Sequence, residues 1–299
     1  LEEIAKMSLT TRKIGLGVMG FADMLIKLNI AYASNAGLKL GEKLSKFIHK
    51  AAVDESKILG EERGSFPAFK GSKWQKQGLK TMRNSTVNTV APTGTISIVA
   101  NCSSGIEPLF ALSYVRKNIL DVGNTELLEV NEEFERVAKE KKFYSAKLMR
   151  EISQTGGINS LTGVPKAVKE VFAVSHEIDW SWHVKMQAAW QKHIDAAVSK
   201  TINMSNQASP DDVREAYLLA YEMGCKGITV YRDGSKPHQV LNAGRRGGQI
   251  NKPIIDDQRK WVGNGHAQEE LCPECGGELI FKEGCATCLA CGYSRCTVS

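Results

Sequence analysis

Ser209-Pro210-Asp211-Asp212-Val213-Arg214-Glu215-Ala216-Tyr217-Leu218-Leu219-Ala220-Tyr221-Glu222-Met223-Gly224-Cys225-Lys226-Gly227-Ile228-Thr229-Val230-Tyr231-Arg232-Asp233-Gly234 is the stretch on which the fold turns. Ser209 can cap free amide groups, Pro210 suits the first helical position, and the two aspartates oppose the positive helix end. Val213, Ala216, Tyr217, Ala220 and Tyr221 form the expected buried face of this helix, and Gly224 is placed to end it. Gly227-Ile228-Thr229-Val230-Tyr231 then reads as a short β-strand closed by the turn Arg232-Asp233-Gly234. This is a helix-to-strand unit of an α/β protein. The order repeats upstream, where an apolar helix over residues 182–197 runs into Thr201-Ile202-Asn203-Met204. Parallel strands covered by helices are the expected architecture. A longer helix is marked by Leu40, Leu44, Phe47, Ile48, Ala51 and Ile58, recurring on one face until Gly64 stops it.

Around this centre the composition is that of a folded globular chain: 299 residues, 42% hydrophobic and 24% charged. No apolar run approaches the length that spans a bilayer, so no membrane is expected. The start, Leu1-Glu2-Glu3-Ile4-Ala5-Lys6, has neither a signal core nor an initiating methionine. The chain is therefore expected to begin inside a longer one, and its expected compartment is the cytoplasm. The net charge of +6 would suit a polyanion, but Lys and Arg are interleaved with Asp and Glu rather than gathered into a stripe. Phosphate-bearing small ligands suit that balance, and no nucleic-acid partner is expected. Pro237, Gly244, Gly247, Gly248, Pro253 and Gly263 interrupt a polar stretch, so residues 237–270 read as a flexible linker. It joins a body over residues 1–236 to a cysteine-rich tail over 271–299, too small to fold on an apolar core alone.

Gly15-Leu16-Gly17-Val18-Met19-Gly20 matches the glycine pattern of dinucleotide sites, but residues 8–13 are too polar for a buried strand and no acid follows near residues 35–39. The glycines are expected to let a helix pack closely. Asn88-Thr89-Val90-Ala91-Pro92-Thr93-Gly94-Thr95-Ile96-Ser97 is a different matter. A β-prone run meets a proline, then a short Gly, Thr and Ser loop, then an apolar stretch able to start a helix. Exposed amides in such a loop, with hydroxyls on Thr93, Thr95 and Ser97, make an uncharged cradle for phosphate. Cys102 and Cys225 stand apart from other thiols and read as small buried hydrophobes. His183 and His193, ten residues apart, are not spaced as metal partners.

The tail carries Cys272-Pro273-Glu274-Cys275-Gly276, Cys285, Cys288-Leu289-Ala290-Cys291-Gly292 and Cys296. Two Cys-x-x-Cys-Gly knuckles suit tetrahedral zinc, making Cys272, Cys275, Cys288 and Cys291 the ligands and leaving Cys285 and Cys296 as spare thiols. The alternative gives Cys285 and Cys288 to zinc and leaves Cys291 and Cys296. The second glycine-bearing knuckle favours the first scheme, and both keep Cys296 free of metal.

Residues 91–97, continuing through Asn101-Cys102-Ser103-Ser104-Gly105-Ile106-Glu107-Pro108, resemble the phosphate-binding segment of ribonucleotide reductase catalytic chains, in the form of the adenosylcobalamin-dependent class II. Residues 12–23, 193–203 and 226–234 resemble further blocks of that family, in family order. The resemblance implies the C-terminal part of a ten-stranded α/β barrel, followed by the linker and a small zinc-ribbon-like module. It implies reduction of ribonucleotides to 2′-deoxyribonucleotides by a thiyl radical, with Pro92, Thr93, Gly94, Thr95, Ile96 and Ser97 on the substrate phosphates. The two spare thiols of the favoured zinc scheme, Cys285 and Cys296, are the expected redox shuttle; in the alternative scheme the pair is Cys291 and Cys296, whose separation resembles the terminal redox pair of related reductases. Adenosylcobalamin and zinc are the implied cofactors. Implied partners are a ribonucleoside di- or triphosphate, a thioredoxin-like reductant and the N-terminal remainder of the enzyme, which assembles as a homodimer when complete. No segment matches the loop bearing the radical cysteine, so the isolated chain is expected to be inactive. Class I large subunits carry two adjacent tyrosines where this chain has Val230-Tyr231, and valine cannot relay a radical. Outside catalysis, the competing reading is a zinc-ribbon binding module on a degenerate barrel, against which the two extra cysteines argue.

Overall fold

The computed structural model describes residues 1–117, 126–235 and, in the tail, 272, 275, 279–282, 285–288, 291 and 293–296. The chain divides into two units, Leu1–Gly247 and Gly248–Ser299. The linker expected over 237–270 lies outside the described residues. The first unit opens with α1 (Glu2–Thr11), α2 (Phe21–Lys27), the long α3 (Asn35–Arg63) and α4 (Lys73–Lys76). Next come α5 (Gly94–Val99) and an antiparallel pair, β1 (Ser113–Lys117) with β2 (Glu126–Val130). Three helices follow, α6 (Glu132–Glu140), α7 (Ala146–Thr155) and α8 (Lys166–Val171). The unit closes with α9 (Trp180–Gln191), β3 (Thr201–Met204), α10 (Pro210–Glu222) and β4 (Thr229–Arg232). In the second unit β5 (Leu279–Lys282), β6 (Cys285–Cys288) and β7 (Ser294–Cys296) form an antiparallel sheet in chain order.

The parallel architecture is present and runs further than its named strands. β3 and β4 pair in parallel from Thr201 with Thr229 to Met204 with Arg232. Upstream, Leu16 bridges Asn88 and Val90 bridges Val198, both in parallel. Four extended segments, around residues 14–17, 86–90, 196–204 and 229–232, therefore lie side by side in chain order with helices between them. The ladder is joined at Ala196, whose N–H donates to the Asn88 carbonyl. The helix expected to reach residue 197 accordingly stops at Gln191.

Local chemistry explains the element ends. Ser209 Oγ accepts from the Asp212 N–H while the Asp212 carboxylate accepts from the Ser209 N–H at 2.7 Å, a reciprocal cap at the start of α10. Gly224 then takes a φ of +73°. Only part of the expected apolar face is buried: Ala216 and Ala220 pack on Ile202 and Met204 with Val213 beside them, whereas Tyr217 is 52% and Tyr221 83% exposed. The two alanines let α10 lie close to the strands, and the tyrosines fall on its outer flank. A similar shift occurs in α3. Phe47 and Ile58 are exposed, and the buried stripe is Gly37, Gly41, Ser45, Ser56 and Gly60. A Cβ on Gly41 would sit 2.8 Å from Trp190 Nε1, so close approach to α9 selects small residues there.

Four apolar clusters fill this unit around the ladder, one of them formed by Phe66, Trp74, Met82 and Val87. Phe21, Leu25, Met186 and Trp190 join α2 to α9. Val184, Ile202 and Met204 lie under α10. Phe134, Ile152, Ile158 and Phe172 hold α6, α7 and α8 together. Each large side chain buried in this way stabilises the fold by roughly 1.5–3 kcal/mol before chain entropy is set against it.

Candidate functional site

The segment of residues 86–90 leaves the ladder at Ala91 and Pro92, and the chain turns at Thr93 into α5. Thr93 has a φ of +50°, a left-handed conformation that a β-branched residue rarely adopts. Such a strained residue persists only where its surroundings hold it. Here the Gly105 N–H donates to Thr93 Oγ1 at 2.7 Å. Thr93 places no side-chain cap on α5, so the amides of Gly94, Thr95 and Ile96 head the helix without one. Pro92, Gly94, Thr95 and Ile96 are exposed, and a Cβ built on Gly94 meets nothing within 4 Å.

Ser97 differs from these neighbours. It is buried, its hydroxyl donates to the Gly94 carbonyl at 2.9 Å, and it meets Ser104 Oγ at 2.8 Å. The loop's outgoing arm, 93–97, is thus tied to its return arm, 103–105. That return arm is itself fastened on two sides. Ser103 donates its N–H to Asp23 at 2.6 Å, and the Gly20 N–H donates to the Ser103 carbonyl. Farther along, Glu107 accepts from the Thr201 N–H at 2.7 Å and is ion-paired with Lys200.

The glycines at 15 and 17 serve this same region. A Cβ on Gly15 would lie 2.5 Å from Thr89 Cγ2, and one on Gly17 would lie 2.6 Å from the Thr89 carbonyl oxygen. They admit a neighbouring strand rather than a helix, which corrects the expectation of helix packing.

Composition and spacing gave no hint of the charged network behind the loop. Lys200 has no exposed side-chain surface; its ammonium donates to Glu107, to the Thr201 carbonyl at 2.6 Å and to His183 Nδ1 at 2.8 Å. His183 Nε2 lies 3.1 Å from the Ser175 carbonyl, which fixes the neutral tautomer with hydrogen on Nε2. Burial, and then the Lys200 charge, push the His183 pKa well down. Burial also lowers the Lys200 pKa, against the pull of Glu107. Desolvation first, and Glu107 second, raise that of Tyr32, whose hydroxyl donates to the Ile106 carbonyl at 2.7 Å. Glu107 lies within the family-like stretch, but nothing in its spacing announced a lysine 93 residues away. Cys102 and Cys225 are half-buried rather than fully enclosed, and burial raises both thiol pKa values.

In the second unit Cys272, Cys275 and Cys291 bring their sulfurs within 4.8 Å of one another, with Cys272 and Cys291 at 3.5 Å. Tetrahedral zinc–thiolate bonds of about 2.3 Å would hold sulfurs roughly 3.8 Å apart, so the trio fits such an ion. The strand register pairs Cys285 with Cys296 and Cys288 with Leu279. The side chains of Cys285, Cys288 and Cys296 lie outside the described residues.

A ladder of parallel strands backed by helices, with a structured loop leaving one strand end, defines an α/β protein. The ribonucleotide reductase barrel domain matches residues 1–81 and 78–231. A vitamin B12-dependent ribonucleoside-diphosphate reductase of Thermoplasma acidophilum is 54% identical over 244 residues, 82% of this chain and 31% of that protein. One of the same name from Mycobacterium tuberculosis is 45% identical over 81% of this chain and 34% of its own length. Among solved structures, the class Id ribonucleotide reductase alpha subunit of Actinobacillus ureae aligns with a TM-score of 0.66 at 25% identity, covering 77% of this chain and 40% of that one. This chain belongs to the ribonucleotide reductase family. It spans about a third of the length of the curated relatives it matches.

Proposed function

We propose that this chain is the C-terminal part of an adenosylcobalamin-dependent enzyme that reduces ribonucleotides to 2′-deoxyribonucleotides. In this reading the segment Pro92, Thr93, Gly94, Thr95, Ile96 and Ser97 forms the substrate-phosphate site, with the buried Ser97 as its brace and not as a direct donor, and the thiyl-forming cysteine lies outside the chain. The observation that carries it is the preset loop: strained Thr93, pinned by Gly105, opens α5 with uncapped amides and empty space before Gly94. Amide donors fixed in this way meet an anion without reorganising. Ser97 acts from behind, bracing the loop through Gly94 and Ser104. The test is substrate affinity in the complete enzyme. Gly94→Val, which fills the approach to the amides, should weaken it far more than Ser97→Ala, whose lost hydrogen bond costs about 1 kcal/mol. Unchanged affinity in a folded Gly94→Val protein rejects the loop.

The tail supplies electrons. Cys272, Cys275, Cys288 and Cys291 hold zinc in this reading, supported by the three sulfurs already gathered, and Cys285 and Cys296 form the working pair. Directly opposed residues of antiparallel strands have Cα atoms about 4.5–5.5 Å apart, within the span of a disulfide, and the register opposes these two. One tail thiolate attacks the active-site disulfide to give a mixed disulfide. The second tail thiol displaces it, releasing a reduced active-site dithiol and leaving the tail oxidised. A thioredoxin-like dithiol then restores the tail. The linker over 237–270 tethers the shuttle in this proposal.

Adenosylcobalamin would supply the radical from outside this chain. The cavity beside Tyr32, lined by Ala22, Leu25, Ile26 and Pro108, is about 10 Å³, room for water and not for a corrin. The single tyrosine at 231, beside Val230 on β4, supports a radical source within the enzyme's own barrel over relay from a second subunit. The N-terminal remainder, a homodimeric assembly and a cytoplasmic location complete the proposal.

A further inference from the structure

Lys200 is a costly residue to bury. A buried ion pair rarely stabilises more than an apolar pair of the same volume, so its presence calls for an account beyond stability. Its three ammonium hydrogens are all committed, to Glu107, His183 Nδ1 and the Thr201 carbonyl. None is left for a ligand, which excludes direct phosphate binding by this lysine. What the pair does hold is the return arm of the loop. Glu107 lies two residues past Gly105, whose N–H pins Thr93, and three past Ser104, which braces Ser97. Through Thr201 the same carboxylate is fixed to the first residue of β3.

We propose that the Glu107–Lys200 pair, braced by His183, is a positioning unit: it clamps the return arm of the loop to β3 and so sets where the amides of residues 94–96 present themselves to phosphate. The proposal rests on the phosphate reading of the loop. Asp23 fastens the arm at Ser103 and Tyr32 fastens it at Ile106, so loss of the pair displaces the loop without unravelling it.

The test is made in the complete enzyme with Glu107→Ala, Glu107→Gln, Lys200→Met and, as a reference, Gly94→Val. KM and kcat are measured for the ribonucleotide, and Kd for the phosphate-free ribonucleoside. Glu107→Ala is expected to raise KM about tenfold, the weight of one charge-assisted anchor, with kcat and ribonucleoside affinity unchanged. Glu107→Gln, which keeps an oxygen for the Thr201 N–H, should recover most of that loss. If Glu107→Ala fails to fold, Lys200→Met carries the test with a smaller rise in KM, because the partly exposed Glu107 then loses its ion pair and keeps the Thr201 N–H. An unchanged KM in either folded variant, while Gly94→Val raises it, overturns the clamp alone. Equal weakening of nucleotide and nucleoside overturns it too, since that marks a general structural fault. No effect of Gly94→Val removes the phosphate reading and the clamp together.

Discussion

At the scale of single residues, the energetics are decided by groups held where they would not choose to be. His183 is enclosed and neutral, its pKa driven well below the ordinary 6.5 by burial and by Lys200. The unfolded chain therefore binds a proton below pH 6.5 that the folded chain refuses. Stability from this group is complete above 6.5 and is lost as pH falls from there toward the folded value. Melting temperatures measured between pH 8 and pH 5 should drop across that window, and His183→Gln, which can still bridge Lys200 and Ser175, should flatten the drop. An equal slope in the variant would assign it to other groups, such as His193, whose pKa burial also lowers. Thr93 is the second such residue. Its left-handed backbone is tolerable because Gly105, itself at a φ of +45°, can approach the Ala91 carbonyl with no side chain in the way.

Elements are placed by what lies between them, and small residues set the spacing. Gly17→Ala would bring a methyl to 2.6 Å from the Thr89 carbonyl oxygen, a backbone atom with little freedom to yield. The expected cost is about 1–3 kcal/mol, read as a lower melting temperature; an unaltered one would show that the 14–17 segment is free to move off its neighbour. This contact also shows what sequence could convey. β-prone runs and capping residues announced α10, β3 and β4, because those signals are local: Ser209 with Asp212, and Gly224 at the end. The reason for Gly15 and Gly17 was hidden, since it lies in Thr89, more than 70 residues away. The stripe on α3 misled similarly, as Phe47 and Ile58 obey helical periodicity while the tight partner, Trp190, selects Gly41 and Ser45 on another face. Of the candidate site, residues 92–97 were legible as a motif, and their bracing by Ser104, Gly105 and Glu107 was not. That Cys285 stands opposite Cys296 across two strands is a matter of register, which spacing alone does not give.

For the molecule as a whole, the tail and the barrel unit make separable demands. If the tail holds zinc as proposed, Cys275→Ser should release it and loosen the tail, because a module of this size would rely on a metal to fold. Cys296→Ser should keep zinc, permit one turnover in a prereduced complete enzyme and abolish repeated turnover with a protein reductant. Metal analysis and burst kinetics measure the two effects apart, and zinc loss from Cys296→Ser would reassign that cysteine. The barrel unit raises a different issue at its first strand. Residues 14–17 pair with residues 86–90, and among the described residues no strand is bonded along their other side. Ile14 and Leu16 are about half exposed there, and Ile4, Met7 and Leu9 on α1 are more so. An unsatisfied strand edge flanked by apolar side chains is a template for self-recruitment. Purified alone, this chain should therefore be colloidally unstable, its light scattering rising with concentration, and Leu16→Lys should suppress that rise by placing a charge where another copy would add its strand. Monodisperse behaviour at high concentration without the lysine would mean that the edge protects itself.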